Sequence, residues 1–178
     1  MLYNLLVQHK ATHKIESNML LKTISFVKTY PNCFERALKI GHVTASSWIT
    51  DQKQELAFLC HHKKLNKWLQ LGGHCDGNPN VHEVALKEAQ EESGLQNFKF
   101  KSKAIFDVDI HQIPQHKEVA AHLHYDIRFW LIADPNTPLI ISSESKDLKW
   151  IPVNEIHQYN NEQPIMRMVE KTKAAKLI

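Results

Sequence analysis

The spacing of hydrophobic positions changes near residue 41, from a helical period to the alternation that is typical of strands. The apolar stripe before that point consists of Leu20, Leu21, Ile24 and Val27. It predicts a helix that Ser17 could cap and that ends before Pro31. From Gly41 to Thr50 the residues are mostly β-branched, aromatic or small, which predicts a first strand. We therefore expect an N-terminal helical extension over residues 1–40 and a second domain over residues 41–178.

Short strand-like segments and two helices follow this first strand. The predicted strands cover residues 55–60, 68–71, 98–113, 121–133 and 148–153. Gly72 and Gly73 are expected to break the third strand. One helix should begin at Asn80, which has the spacing of a capping box to Glu83, and should end at Ser93-Gly94. A last helix is predicted from Pro164 to Leu177. The elements predict an α+β fold: a mixed β-sheet with one central helix and flanking helices.

Three glutamates share one face of the predicted central helix. Glu88, Glu91 and Glu92 are spaced i, i+3 and i+4, which places their carboxylates within one turn. Like charges repel at this spacing, so a bound cation is one way to stabilise them. Carboxylate oxygens are hard ligands that select Mg²⁺, Mn²⁺ or Ca²⁺. Taken alone, the spacing is explained more simply by a solvated acidic face.

The residues around these glutamates change that balance. Residues 73–95 read GHCDGNPNVHEVALKEAQEESGL and resemble the Nudix box, G-x5-E-x7-R-E-U-x-E-E-x-G-U, in which U is aliphatic. The matching residues are Gly73, Glu88, Glu91, Glu92, Gly94 and Leu95, with Ala89 in the aliphatic position. Pro79 stands where the box usually has its first Glu, and Lys87 where it usually has Arg. The chain thus resembles the MutT-like Nudix hydrolases from about residue 41 to 156.

This resemblance implies the Nudix fold, an α/β/α sandwich, and a hydrolase. Such an enzyme cleaves a phosphoanhydride in a nucleoside diphosphate linked to another moiety, by attack of water on phosphorus. Glu88, Glu91 and Glu92 would bind Mg²⁺ or Mn²⁺, together with the carbonyl of Gly73. Glu88 and Glu91 are the candidate catalytic residues, with Glu91 or a carboxylate outside the helix as general base. Lys87 keeps the charge of the usual Arg without its planar fork, and Glu83 could pair with it.

A second polar pattern follows the box. Two trios alternate with apolar residues along adjacent predicted strands: Asp107, Asp109 and His111, then His122, His124 and Asp126. A period of two places each trio on one face. A hairpin whose loop lies near residues 115–118 would bring the trios together.

We interpret this pattern as a substrate-binding surface that supplies an extra ligand, a base or contacts to phosphate. The alternative is a solvated face, but that would more commonly use the plentiful Lys and Glu. His42 and Ser46 on the first strand, and His74 next to the box glycine, are weaker candidates for the same surface. The segments FDVDIHQIP and HLHYDIRFW are also similar to stretches of a group of bacterial Nudix proteins.

Composition adds few constraints. The 178 residues suffice for one sizeable core, and 22 basic against 19 acidic residues give no strong nucleic-acid signal. Three cysteines without a CxxC pair fit a reducing cytoplasm. No signal peptide is recognisable, and no apolar run reaches the roughly 20 residues of a membrane span. We expect a cytoplasmic enzyme with a small-molecule, nucleotide-like diphosphate substrate. The sequence leaves open whether the chain forms a homodimer.

Three other interpretations stay open. The box could have lost catalysis, which would leave a nucleotide- or RNA-binding module. Cys75 beside the box glycine is compatible with an enzyme similar to isopentenyl-diphosphate isomerase, which needs a reactive Cys. Finally, His111, His122 and His124 could form a zinc site that needs no substrate.

Overall fold

A computed structural model describes residues 2–115 and 119–176. Its helices are α1 (Leu2–Gln8), α2 (Lys14–Thr29), α3 (Val81–Ser93) and α4 (Gln163–Ala175), with a 3-10 helix at Ile156–Gln158. Its strands are β1 (Gly41–Thr50), β2 (Leu56–His62), β3 (Lys67–Leu69), β4 (Leu71–His74), β5 (Lys99–Phe100), β6 (Asp107–Ile113), β7 (His122–Ile132) and β8 (Ser145–Pro152). Part of the loop predicted near residues 115–118, and Leu177 at the predicted end of the last helix, lie outside the described residues.

The strands pair in a mixed sheet. The hydrogen-bonded order is β3-β2-β1-β7-β5, with β4 on β1, β6 on β7 and β8 on β2. Strand β2 is antiparallel to β1, β3 and β8, and β7 is antiparallel to β5 and β6. Strands β1 and β7 run in the same direction, because the amides of Leu123 and Ala133 donate to the carbonyls of Ile40 and Thr50. The predicted α+β class and mixed sheet are confirmed.

The chain divides into two compact units, of which the first comprises Met1–Ser46, Gly72–Ala85 and Lys103–Phe129. Helix α2 packs on the β6–β7 hairpin in this unit. The ring of Phe26 stacks on Tyr125 with 3.8 Å between ring centroids and 6° between ring planes. Leu6 of α1 is fully buried. The N-terminal helices therefore contribute to the core of this unit.

The second unit comprises Ser47–Leu71, Leu86–Ser102 and Trp130–Ile178. Its core is a cluster of buried side chains: Ile49, Phe58, Cys60, Leu71, Ala89, Leu95, Leu131, Ala133 and Leu148. The face predicted for the last helix is buried, as Ile165, Met168, Val169 and Thr172 show. Trp48 Nε1 donates a 2.9 Å hydrogen bond to Thr172 Oγ1. Among the described residues, no helix has the length and apolar character that a membrane crossing requires.

The prediction that Ser17 caps the first long helix is wrong. Helix α2 begins at Lys14, and the Ser17 hydroxyl donates to the carbonyl of His13 inside its first turn. The earlier start follows from Glu16, whose buried carboxylate accepts the amide of Thr12 at 3.2 Å and contacts His9 Nε2 at 2.7 Å. The contacts of this buried carboxylate therefore decide where the helix begins, and they outweigh the preference of Ser17 for a capping position.

The predicted strand break at Gly72-Gly73 is also wrong, since both glycines lie within β4. A Cβ on Gly72 would lie 2.2 Å from Cβ of Ser46, so this glycine permits the close approach of β4 to β1. The predicted strand over residues 98–113 forms two strands, β5 and β6.

Candidate metal helix and histidine cluster

Side chains at both ends of α3 determine where the helix begins and ends. The Asn80 side chain accepts from the Glu83 amide at 3.4 Å, and the Glu83 carboxylate accepts from the Asn80 side chain at 3.3 Å. Asn78 accepts the backbone amide of Asn80 at 2.9 Å. At the other end, Gly94 has a φ of +74°, and its amide donates to the carbonyl of Gln90. The Asn80 cap and the glycine stop predicted from sequence are confirmed, but the reciprocal half of the capping box is not, because the backbone amide of Asn80 donates to Asn78 and not to Glu83.

The three box glutamates lie in the last turns of this helix. Glu91 is exposed, whereas Glu88 and Glu92 are half-buried. Lys87 Nζ lies 3.5 Å from Glu91 Oε1, so Lys87 supplies a positive charge to this group. Cys60 Sγ lies 4.0 Å from Glu92 Oε2, and burial, followed by the charge of Glu92, raises the pKa of Cys60 to about 12. Cys60 is therefore a neutral thiol that donates toward this carboxylate.

This donor set fits a divalent cation of the Mg²⁺ type. Three carboxylates within one turn concentrate negative charge on this part of α3, and Lys87 lies beside one of them. Their oxygens are hard ligands, and the exposure of Glu91 leaves room for water and substrate oxygens. Gly73, whose carbonyl was the fourth predicted ligand, lies in β4 and is half-buried.

Pro79 is exposed at the edge of an apolar cavity. The cavity has a volume of about 550 Å³ and is also lined by Leu2, Tyr3, Leu5, Val27 and Phe34 and by the first residues of α3. A glutamate side chain at this exposed position would reach solvent, so nothing in the structure explains this departure from the box.

The two predicted polar trios come together in the β6–β7 hairpin. Asp109 pairs with Asp126, and His111 pairs with His124, in antiparallel register. The predicted hairpin is thus confirmed. Its polar face divides into an aspartate end and a histidine end.

At the aspartate end, all three carboxylates contact the buried guanidinium of Arg128. The distances are 3.1 Å to Asp107 Oδ2, 3.2 Å to Asp109 Oδ2 and 2.8 Å to Asp126 Oδ2. Burial by itself lowers the pKa of Arg128, but the charges of the three aspartates raise it above its ordinary value. Asp107, Asp109 and Asp126 are almost completely buried.

Hydroxyl groups from β1 complete this cluster. Thr44 Oγ1 donates to Asp126 Oδ1 at 3.0 Å, and Ser46 Oγ donates to Asp126 Oδ2 at 2.6 Å. Asp126 therefore accepts three side-chain hydrogen bonds, which compensates for its burial. The arrangement joins β1 to the hairpin through charge-assisted bonds.

The histidine end gathers side chains from four strands, β1, β4, β6 and β7. His42 of β1 has ring centroids of His74, His122 and His124 at 5.0, 5.0 and 4.8 Å, and His111 lies 5.4 Å from His124. Burial, with the charges of His74 and His122, lowers the pKa of His42 to about 4. Burial and the neighbouring histidines lower the pKa of His124 to about 2. These two imidazoles are therefore neutral near pH 7.

Arg128 was not among the residues predicted from sequence, although its position follows the same pattern. Arg128 continues the alternation of His122, His124 and Asp126 by one further step along β7. One basic residue at the end of a polar strand face gives no indication that it will be buried. His74, a weaker candidate from sequence, lies at the end of β4 and joins this cluster.

Comparisons with known proteins bear on the same region. The model of the NUDIX domain family matches residues 41–171. No curated protein sequence matches the chain. An Ap4A hydrolase from C. elegans in a binary complex is similar in structure, with 13% identity, a TM-score of 0.56, and coverage of 75% of this chain and 96% of that one.

Two further solved structures are similar. A NUDIX family hydrolase from Clostridium perfringens has 24% identity and a TM-score of 0.53, covering 75% of this chain and 97% of that one. The NUDIX domain of Shewanella oneidensis NrtR, complexed with ADP ribose, has 12% identity and a TM-score of 0.52, covering 85% and 96%. At these identities the likeness is one of fold.

Proposed function

From the premise that this chain belongs to the Nudix family, whose model matches residues 41–171, we propose that it is a divalent-metal-dependent hydrolase. Its substrate class is a nucleoside diphosphate linked to another moiety, and the bond cleaved is a phosphoanhydride. The observation that carries the proposal is the set of three carboxylates on one face of α3, in the order and spacing of the box. We place the enzyme in the cytoplasm.

Glu88, Glu91 and Glu92 would hold Mg²⁺ or Mn²⁺, with the carbonyl of Gly73 as a further ligand. When bound, such ions neutralise charge on diphosphate oxygens and lower the pKa of water. Glu88 and Glu92 are half-buried, which restricts their rotamers and orients them. Lys87, 3.5 Å from Glu91, replaces the usual Arg as the cation that positions this carboxylate.

Glu91 is the residue that we assign as general base. It is the most exposed of the three carboxylates and can reach a solvent molecule. Glu91 accepts a proton from water as the water oxygen bonds to phosphorus, and the anhydride P–O bond breaks to release two phosphate-containing products. Glu88 would act in this scheme by holding the divalent cation close to the reacting phosphate.

The family relatives suggest which compounds to test. One similar structure is an Ap4A hydrolase, and another NUDIX domain was crystallised with ADP ribose. Both compounds contain phosphoanhydrides attached to a nucleoside. For this chain we propose that class alone. Of the hairpin residues predicted to bind substrate, the histidines stay candidates, whereas Asp107, Asp109 and Asp126 are buried against Arg128 and stabilise the hairpin instead.

The test is hydrolysis of a panel that includes ADP ribose, Ap4A and nucleotide sugars, with Mg²⁺ or Mn²⁺, in ¹⁸O-labelled water. Phosphorus NMR identifies the phosphorus atom that gains the label and hence the bond that is cleaved. We expect metal-dependent turnover that falls by about a hundredfold in Glu91→Gln and Glu92→Gln. Glu170→Gln, which removes an exposed carboxylate from α4, is the matched control and should retain turnover.

The outcome that would overturn the proposal is equally definite. Absence of turnover on every compound, with Mg²⁺ binding unaffected by the two box substitutions, would show that the box is not a metal site. The nucleotide- or RNA-binding module would then replace the hydrolase as the interpretation.

A further inference from the structure

We propose that His42, His74, His124 and His122 form a second metal site, which binds a late first-row transition metal, with Zn²⁺ as the favoured ion. The site uses none of the three box glutamates. It lies entirely within the first unit and joins strands β1, β4 and β7. It also differs from the zinc site considered from sequence, because His42 and His74 replace His111.

The first argument is the convergence of ligand atoms. His42, His74 and His124 each offer one ring nitrogen, and these three atoms all lie within 4.8 Å of one another. Tetrahedral coordination at a Zn–N distance of about 2.0–2.1 Å places nitrogens roughly 3.3–3.4 Å apart. Strands β4 and β7 both neighbour β1, so strand pairing holds the three imidazoles in one place, and metal binding would draw their nitrogens closer together.

His42 supplies the second and independent argument. Its side chain is 3% exposed, yet neither Nδ1 nor Nε2 has a hydrogen-bond partner in the described part of the chain. A buried polar atom without a partner costs about 1–3 kcal/mol. A metal bound to one of these nitrogens would satisfy it, which gives the buried imidazole a reason to occupy an otherwise unfavourable position.

His122 lies beside this triad and is the fourth ligand that we propose, although it is not one of the three residues whose nitrogens lie within 4.8 Å of one another. Its Nδ1 lies 2.9 Å from the carbonyl of Ala120, which can only accept, so Nδ1 carries the proton. The lone pair on Nε2 therefore points away from Ala120, and Nε2 lies 3.3 Å from Nε2 of His124. That separation equals the edge expected for a zinc tetrahedron. Metal-bound histidines commonly donate their other ring nitrogen to a backbone carbonyl.

His111 is the neighbour that we leave outside the ligand set. Its Nδ1 lies 3.4 Å from Asp109 Oδ2, so it is directed toward the aspartate end of the hairpin. Four imidazole nitrogens are borderline-soft ligands and select Zn²⁺, Cu²⁺, Ni²⁺ or Co²⁺ over Mg²⁺. The chemistry thus separates this site from the oxygen-rich box.

The test measures metal binding directly and needs no substrate, so failure of the hydrolase proposal leaves it unaffected. Untagged, chelator-treated protein is titrated with Co²⁺, whose visible absorption reports tetrahedral nitrogen coordination, and then with competing Zn²⁺. We expect one tightly bound ion per chain. His42→Gln and His74→Gln should weaken binding by about a hundredfold or more. His157→Gln removes an exposed histidine and is the matched control.

X-ray absorption spectroscopy of the zinc-loaded natural chain tests the site without any substitution, so its result does not depend on whether the variants fold. It should show nitrogen ligands at about 2.0–2.1 Å with imidazole scattering. The proposal is overturned if the natural chain binds no stoichiometric transition metal, or if folded His42→Gln binds it as tightly as the control. Loss of zinc in Glu92→Gln but not in the histidine variants would assign the ion to the box and would also overturn it.

Discussion

Arg128 has an environment unlike that of an ordinary surface arginine. Its guanidinium lies within 3.2 Å of carboxylate oxygens from Asp107, Asp109 and Asp126 and is 3% exposed. Three carboxylates around one cation hold it firmly, but removal of the cation would leave buried charges without compensation. This asymmetry makes Arg128 a position where a single substitution should have a large effect.

We predict that Arg128→Met lowers the free energy of unfolding by about 3–5 kcal/mol, because breaking a buried ion pair leaves its partners uncompensated. Arg36→Met is the matched control, since Arg36 pairs with Asp76 at a site where its side chain is 58% exposed. That loss should stay within about 1 kcal/mol. Urea unfolding of both variants measures the difference, and equal losses would show that the aspartate cluster is solvated.

At the scale of elements, α2 shows how tertiary contacts select a helix face. Leu20 and Leu21 are adjacent and equally apolar, yet Leu20 is 9% exposed and Leu21 is 66% exposed. The buried face is completed by Glu16, Thr23 and Phe26. It follows the helical period, but it is shifted from the stripe that hydrophobicity alone predicted.

This pair of leucines gives a matched prediction. We expect Leu20→Ala to lower the unfolding free energy by about 2–5 kcal/mol, since it removes buried methyl groups and leaves a cavity. Leu21→Ala should change stability by less than about 0.5 kcal/mol. Thermal and chemical unfolding measure both values. A comparable loss at Leu21 would mean that this face is covered in solution, for example by a second copy of the chain.

At the scale of the whole molecule, the segment before residue 41 lies outside the family match but inside the packing of the first unit. Leu2 and Leu6 of α1 are buried, and Phe26 of α2 stacks on Tyr125 of β7. Pro79 of the box also lines the cavity to which α1 and α2 contribute. These contacts indicate that the family core of this chain depends on its N-terminal helices.

We therefore predict that a chain of residues 41–178 alone is unstable and aggregates, because deletion exposes the apolar surface that α1 and α2 cover. Size-exclusion chromatography and thermal unfolding of this deletion, compared with the full chain, test the prediction. A monomeric 41–178 fragment with an unchanged melting temperature would show instead that the helices are an independent addition.

The local sequence was enough to predict much of the metal helix. Asn80 caps α3, Gly94 ends it, and the spacing of Glu88, Glu91 and Glu92 places them on one face. These features depend on contacts between residues only a few positions apart in sequence, and the regular geometry of a helix fixes such contacts directly. The alternation along β6 and β7 likewise predicted the hairpin and its polar face.

The tertiary structure alone decided what lies opposite each face. His42, His74 and His124 come from three separate strands, and Arg128 rather than solvent faces the three aspartates. Period-two spacing determines which side chains share a face of their own strand, but not which other strand meets it. That choice depends on strand order and on burial, because long-range packing sets the local charge and polarity that each of these groups experiences.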